Sequence, residues 1–591
     1  MTVSFRPHVL REYSLIADGE RGALIGPDGA IAWLCAPRWD SPAVFGGLLG
    51  GRGGYAVTPA DPWYVWGGYY EPGTLIWRSR WVGSSRTECR EALAMPADPH
   101  RVVVLRRIVA VDGPAKVTVT LDVRSGFGTN PMTGLSKAGG CWTGRSGRLR
   151  FRWSGAGRAR PGDDGLSCTV TLPPEGHHDL VLELSDRPLE SAPPDPDRAW
   201  AATEQAWSDV VPNCEDLTAA RDARHAYAVL RGLTASTGAM VAAATTSLPE
   251  RLEGGRNYDY RYAWIRDQCY AGLAVAAHGP HPLLDGTVRF VTERLLADGP
   301  GLMPAYTVAG EPLPGERARR LPGYPGGAVR TGNRVTGQFQ LDGLGETLEL
   351  FAAAARLDLL TEENWQAATI AAEAIEKRWT EPDAGIWELE DRHWTHSRLA
   401  CVSGLRSLAA AASSAPSGPP GGPGHRLAAR WSGLADTLLA SLGDAVHPSG
   451  RWQRSPGDPR VDAALLVPVI RGALPADDPR DHATVRAVKA GLIEDGYVYR
   501  FRHDARPLHK SEGAFLLCGF WLAQVAQARG DTTEAGRWFE RNRAACGPAG
   551  LYTEEYDVHQ RQSRGNLPQA FVHAGLLECA VRLSAAPDVR T

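Results

Sequence analysis

The stretch DRPLESAPPDPDR, residues 186–198, divides the chain into two regimes. Pro188, Pro193, Pro194 and Pro196 each fix φ and remove a backbone donor, so no regular element is expected to run through it. On its N-terminal side apolar residues come in short alternating or β-branched runs. Residues 101–111 (RVVVLRRIVAV), 115–124 (AKVTVTLDVR), 149–153 and 179–184 (DLVLEL) are of this kind, with Gly, Pro, Asp and Ser between them. Two hairpin candidates lie earlier, at 23–35, with Pro27, Asp28 and Gly29 as its turn, and at 69–81. Many short strands separated by frequent turns indicate an antiparallel β-sandwich.

On the C-terminal side the period becomes helical. Ala- and Leu-rich segments near 199–210, 217–235, 265–278, 341–357, 363–379, 397–412, 426–442, 480–493, 513–529, 531–545 and 567–584 repeat apolar positions three and four apart. Leu341, Leu344, Leu348 and Phe351 share one such face. The expected organisation is a β domain over 1–185, a linker with one helix over 186–216, and an all-α unit over 217–591. Periodicity alone leaves that unit open among an irregular bundle, a superhelix and a closed ring of helical hairpins. SSAPSGPPGGPG, residues 413–424, reads as a mobile surface loop.

With 591 residues the chain exceeds the ~250–300 that one core usually serves. A net charge of −3 with no dense basic stretch speaks against nucleic-acid or membrane-surface partners. No run reaches the ~18 apolar residues of a membrane span, and the start lacks a secretory signal, so a cytoplasmic protein is expected. The ten cysteines form no C-x-x-C pair, and neither a metal site nor an organic cofactor is expected. Oligomeric state is not legible.

Three loops concentrate chemistry. In AGIWELEDRHWTHSRL, residues 384–399, Glu388 follows Trp387, and an apolar indole beside a carboxyl group disfavours its charged form. Glu390 and Asp391 are rivals. In GLYTEEYD, residues 550–557, Glu554 and Glu555 lie between Tyr552 and Tyr556, which could orient a carboxylate. SLPERLEGGRNYDYRYAWIRDQ, residues 247–268, is dense in Arg, Tyr and acidic side chains, as suits gripping a polyhydroxylated ring. Two carboxyl groups in separate aromatic loops are what inverting glycoside hydrolysis requires, one as acid and one as base.

These loops, in this order, together with GQFQLDGLGE (337–346), EGAFLLCGFWL (512–522) and GNLPQAF (565–571), resemble glycoside hydrolase family 15, the glucoamylase family, and its bacterial trehalase-like branch. The stretch at 17–46 resembles the β-sandwich that precedes the catalytic domain there. The resemblance implies an N-terminal antiparallel β-sandwich followed by an (α/α)6 barrel. It implies Glu388 as general acid and Glu554 as general base, with Trp264, Arg266, Asp267, Trp387 and Arg500 around the sugar. The expected activity is exo-acting, inverting hydrolysis of trehalose or a short α-gluco-oligosaccharide. Tyr258, Leu344 and Arg398 depart from the family pattern, which bears on substrate preference. A glycoside phosphorylase of similar plan and a non-catalytic sugar-binding protein are the alternatives.

Overall fold

The computed structural model describes residues 7–163, 165–190, 192–251, 255–414, 423–503 and 506–585; most of the Gly/Pro stretch read as a surface loop, 415–422, lies outside them. The N-terminal part forms two eight-stranded sheets. One runs Ser14–Ala17, Gly22–Ile25, Ala30–Cys35, Gly54–Pro59, Ala115–Asp122, Gly165–Leu172, Arg160–Gly162, with Ala43–Phe45 on Ala30–Cys35. The other runs Met132–Ala138, Cys141–Ser146, Leu149–Ser154, His177–Ser185, Arg101–Ala110, Arg86–Leu93, Trp77–Val82, Val65–Tyr70. Neighbouring strands are antiparallel.

The alternation read in 115–122 becomes one buried face, since every second residue of that strand is in the core. The sheets meet face to face. Tyr55 of the first packs edge-on against Trp153 of the second, ring centres 5.9 Å apart. Arg106 of the second sheet is fully buried, paired with Glu91, and donates to the Tyr55 and Gly29 carbonyls of the first at 3.0 and 2.7 Å. A buried guanidinium is tolerable there because its charge and its donors are matched.

A helix, Pro196–Val210, starts inside the proline-rich stretch, contrary to the reading of that stretch as wholly irregular. Asp195 caps it by accepting from Arg198 N–H, and Pro196 occupies the first turn, where a missing N–H costs nothing. The helix lies on the second sheet, with the Arg90 guanidinium 4.3 Å over Trp200.

Among the described residues twelve helices follow as six outer–inner pairs. The outer members are Ala220–Gly232, Pro282–Asp298, Glu362–Arg378, Pro423–Ala440, Pro479–Gly491 and Thr532–Arg543. The inner members are Ile265–His278, Leu341–Arg356, Thr395–Ser414, the short Val467–Arg471 led by the turn Ala463–Leu466, Leu516–Ala528 and Ala570–Ser584. Each inner helix packs on the next, and Ala570–Ser584 packs on Ile265–His278, which closes the ring. The fold is an (α/α)6 barrel. The periodic reading missed Pro282–Asp298, in which Thr287, Val288, Val291 and Thr292 lower helix propensity; its start signal is Pro282 at the first position.

The β domain braces the barrel's loops. Trp33 Nε1 donates to the Ala244 carbonyl at 2.9 Å, and Glu20 accepts from Ser236 N–H at 2.8 Å. Arg261 is buried at the junction. It is bidentate to Asp259, at 2.8 and 2.7 Å, and donates to the Ser41 carbonyl at 2.8 Å. Asp259 also accepts from Gly332 N–H at 3.0 Å. Removing one partner strands a buried charge, so Arg261→Ala is expected to cost about 3–5 kcal/mol in urea unfolding. Asp259→Ala/Arg261→Ala together is expected to cost less than the sum of the single changes; simple additivity would show that the two do not act as a pair.

Candidate active site

A cavity of about 750 Å³ opens at one end of the barrel. Its lining comes from segments at or just before the N-terminal ends of inner helices: Arg266 and Tyr270, then Asn333 to Gln338, then Ile386 to Glu388, then Phe515 and Leu517, and finally Glu554 and Phe571. Those helix ends carry unpaired N–H groups and positive dipole ends, which suits a site built from carboxylates. Tyr270 lies at the cavity's inner side, and its hydroxyl donates to the buried Glu346 at 3.4 Å. Burial pushes the Glu346 carboxyl up to about 7. A separate cavity of about 870 Å³ lies at the opposite helix ends, lined by residues such as Ala277, Arg356 and Arg582.

Glu388 is carried on a tight turn. Its N–H bonds the Gly385 carbonyl at 3.1 Å, and Leu389 N–H bonds that of Ala384 at 2.9 Å. Gly385 has φ +65°, and a Cβ there would sit 2.7 Å from the Trp394 ring, so glycine is required. Glu388 itself has φ +55°, a left-handed conformation uncommon for a residue with a side chain. Such backbone typically costs ~1–3 kcal/mol and persists only where its surroundings enforce it. They do so here: Asp383 accepts from Gly385 N–H at 2.9 Å, and Arg266 donates to the Ile386 carbonyl at 2.8 Å.

The indole that hydrogen-bonds Glu388 is Trp264, donating from Nε1 at 2.7 Å, with Arg266 3.5 Å from the same oxygen. Trp387 turns its N–H to Asp462 at 2.8 Å and presents ring to the cavity, packed on Phe515. The sequence reading set the Trp387 indole beside Glu388 as an apolar neighbour; the indole that meets the carboxyl group is Trp264, and it does so as a hydrogen-bond donor. Glu390 lies away from the cavity, largely exposed and paired with Arg392 at 2.8 Å.

Glu554 reaches the cavity from the loop before the strand Glu555–Asp557. Tyr260 stands between it and Glu250, its hydroxyl 3.3 Å from an oxygen of each. The expected partners Tyr552 and Tyr556 do not hold it: Tyr552 donates to the Arg543 carbonyl at 2.9 Å, and Tyr556 packs on Tyr497. Burial, followed by the charges of Glu250 and Glu555, pushes the Glu554 carboxyl well above the usual carboxylate range, with Arg500 opposing. Carboxyl groups this close titrate as a unit.

Arg500 lines the cavity, paired with Glu512 and 3.6 Å from Glu555. Glu512 also takes Arg256 at 3.0 Å and His503 at 2.8 Å; burial alone would raise its carboxyl, but Arg500 and His503 hold it below the usual range. Glu555 faces away from the cavity and accepts from Gly513 N–H at 2.8 Å. Trp264 and Asp267 sit behind the wall, each 1% exposed; Asp267 is 3.5 Å from Arg266, and burial pushes it up to about 6. The cavity thus gathers Glu388, Glu554, Arg266, Trp387 and Arg500. It adds Glu250, Arg256, Tyr258 and Tyr260, which composition marked only as a sugar-gripping loop. The signal was the alternation in NYDYR: Tyr258 and Tyr260 face the cavity, while Asp259 and Arg261 face the β domain.

A family model described as glycosyl hydrolases family 15 matches residues 224–581, and one described as trehalase-like, N-terminal matches residues 5–142. The chain is 31% identical to the trehalase of Mycobacterium tuberculosis, over 98% of this chain and 90% of that one. It is also 31% identical to the trehalase of Mycolicibacterium smegmatis, over 98% of this chain and 92% of that one. The crystal structure of a bacterial glucoamylase complexed with acarbose matches with a TM-score of 0.70 at 14% identity, covering 100% of this chain and 97% of that one, a likeness of fold. With a carboxylate-lined cavity at the mouth of an (α/α)6 barrel, and both parts of the chain matched, this protein is a glycoside hydrolase and belongs to the glycosyl hydrolases of family 15.

Proposed function

We propose that the protein hydrolyses α,α-trehalose by exo-acting, inverting attack, with Glu388 as general acid and Glu554 as general base. The observation that carries this is the convergence of these two carboxyl groups, from loops 166 positions apart, on one cavity that also holds Arg266, Arg500 and Trp387. Residues 1–185 serve as the bracing β domain, 186–216 as the linker and 217–591 as the catalytic unit.

The terminal glucose packs on Trp387, with its hydroxyls bonded by Arg266 and Arg500. Glu388 gives its proton to the glycosidic oxygen as the C–O bond breaks. Glu554 takes a proton from water, which attacks the anomeric carbon from the opposite face. Trp264 and Asp267 act through Glu388 and Arg266 by holding them in place. The cavity opens at one end of the barrel and is walled by Tyr270, which Glu346 backs, an arrangement that suits entry of one sugar end, as exo action needs. Trehalose is favoured because relatives named trehalase align with nearly the whole chain.

Purified protein is expected to show its highest kcat/KM on trehalose, compared with maltose and isomaltose, with glucose as sole product. A higher value on either alternative would overturn the substrate, and glucose 1-phosphate as product would indicate phosphorolysis.

The pH profile follows from the Glu250–Glu554 cluster. Glu554 works ionised, and burial together with its neighbours' negative charge raises its pKa, so the acid limb of kcat/KM lies above the pH range of an ordinary carboxylate. Glu250→Gln removes one of those charges. The acid limb is expected to move to lower pH; a limb that stays in place would show that Glu250 does not set it.

A further inference from the structure

Outside the active site, three side chains distant in sequence meet at one point. Glu494 lies in the strand Ile493–Glu494, next to an Asp495–Gly496 turn whose two residues have φ +49° and +76°, the pairing of a tight hairpin. His509 lies in the turn Leu508–Lys510, and His559 in the connection between the strands Glu555–Asp557 and Gln562–Arg564. One oxygen of Glu494 faces His509 Nδ1 at 2.8 Å and His559 Nε2 at 2.9 Å. The two imidazole rings lie 3.8 Å apart, and the three donor atoms all fall within 4.8 Å of one another. Both histidines line a cavity of about 720 Å³ that shares Glu250 with the active-site cavity.

We propose that Glu494, His509 and His559 bind a divalent cation of the zinc class, which ties together the three segments that carry Arg500, Glu512 and Glu554. The donor set decides the class. Two imidazoles and one carboxylate suit Zn2+, whereas Mg2+ and Ca2+ take oxygen ligands. Zinc–ligand distances of ~2.0–2.1 Å put neighbouring tetrahedral donors ~3.3 Å apart. The Glu494 oxygen, at 2.8 and 2.9 Å from the two imidazole nitrogens, needs to draw back from each by ~0.4–0.5 Å, all three donors already lie within 4.8 Å of one another, and the cavity leaves space for water as a fourth ligand. The placement gives the ion its consequence. Glu494 precedes Arg500 by six residues, His509 precedes Glu512 by three, and His559 follows Glu554 by five. A cation at this point cross-links the backbone on which the Arg500–Glu512 pair and Glu554 depend. Sequence spacing hides the site, since its ligands span 65 positions and match no short metal motif.

The test uses the full chain stripped with EDTA and titrated with ZnCl2 by calorimetry. One Zn2+ per chain is expected to bind and to raise Tm in a concentration-dependent manner. Co2+ in its place is expected to give the visible absorption of a tetrahedral site. His559→Gln and His509→Gln are each expected to weaken Zn2+ binding by at least about tenfold, the lower end of what even outer-shell changes cost. His559 is half exposed, so His559→Gln is expected to match the wild-type melt in EDTA. Absence of saturable Zn2+ binding to the wild type would overturn the proposal, as would binding unchanged in His559→Gln.

Discussion

Glu388→Gln is expected to lower kcat on trehalose by about 10²–10⁴-fold while leaving the urea unfolding curve in place, because general acid catalysis supplies a factor of that order. The amide fills the same turn and still meets the Trp264 N–H through its carbonyl, but it has no proton to give the departing oxygen. The loss is expected to depend on the leaving group. α-Glucosyl fluoride departs without protonation, so the variant is expected to hydrolyse it far closer to the wild-type rate than it hydrolyses trehalose. A uniform loss on both substrates would mean that Glu388 does not act as the acid. Glu388→Asn isolates the strain: asparagine tolerates a φ of +55° better than glutamate, so this variant is expected to be inactive on trehalose yet no less stable than the wild type.

Glu554→Gln is expected to cost a comparable factor in kcat, with the opposite dependence on substrate. Water must still lose a proton whatever the leaving group, so α-glucosyl fluoride does not rescue it. The change also removes a buried carboxyl group that burial and its neighbours' charges disfavour in ionised form. The variant is therefore expected to unfold at equal or higher urea concentration near neutral pH. Retained turnover with Glu554→Gln, and its loss with Glu250→Gln, would transfer the base to Glu250, which faces the same Tyr260 hydroxyl.

Some of this was legible from residues alone, for identifiable reasons. The strand 115–122 announces itself because it buries one face, and period two follows directly; the helix Leu341–Arg356 is buried almost all round, and its 3.6 period shows because Asp342, Glu346 and Glu349 lie on the side opposite the Leu341, Leu344, Leu348 and Phe351 face. The closed ring is not a periodic property. It rests on Ala570–Ser584 packing against Ile265–His278, some 300 positions away, and only the ordered motifs pointed to it. The same limit governs the site. That Glu388 and Glu554 lie in aromatic loops is local information. That Trp264 rather than Trp387 hydrogen-bonds Glu388, and Tyr260 rather than Tyr552 or Tyr556 meets Glu554, depends on pairs 124 and 294 positions apart. Trp264 and Asp267 were expected around the sugar; the first turn of their helix points only Arg266 into the cavity and leaves them as support.

The inverting, two-carboxyl reaction is tested most directly by the anomeric form of the glucose first released from α,α-trehalose, followed by proton NMR before mutarotation. Each cleavage frees one glucose whose anomeric bond is untouched and another attacked by water. Inversion is expected to give α- and β-glucose in equal amounts at the outset. Early product that is α-glucose alone would contradict inversion, and with it the roles of Glu388 and Glu554.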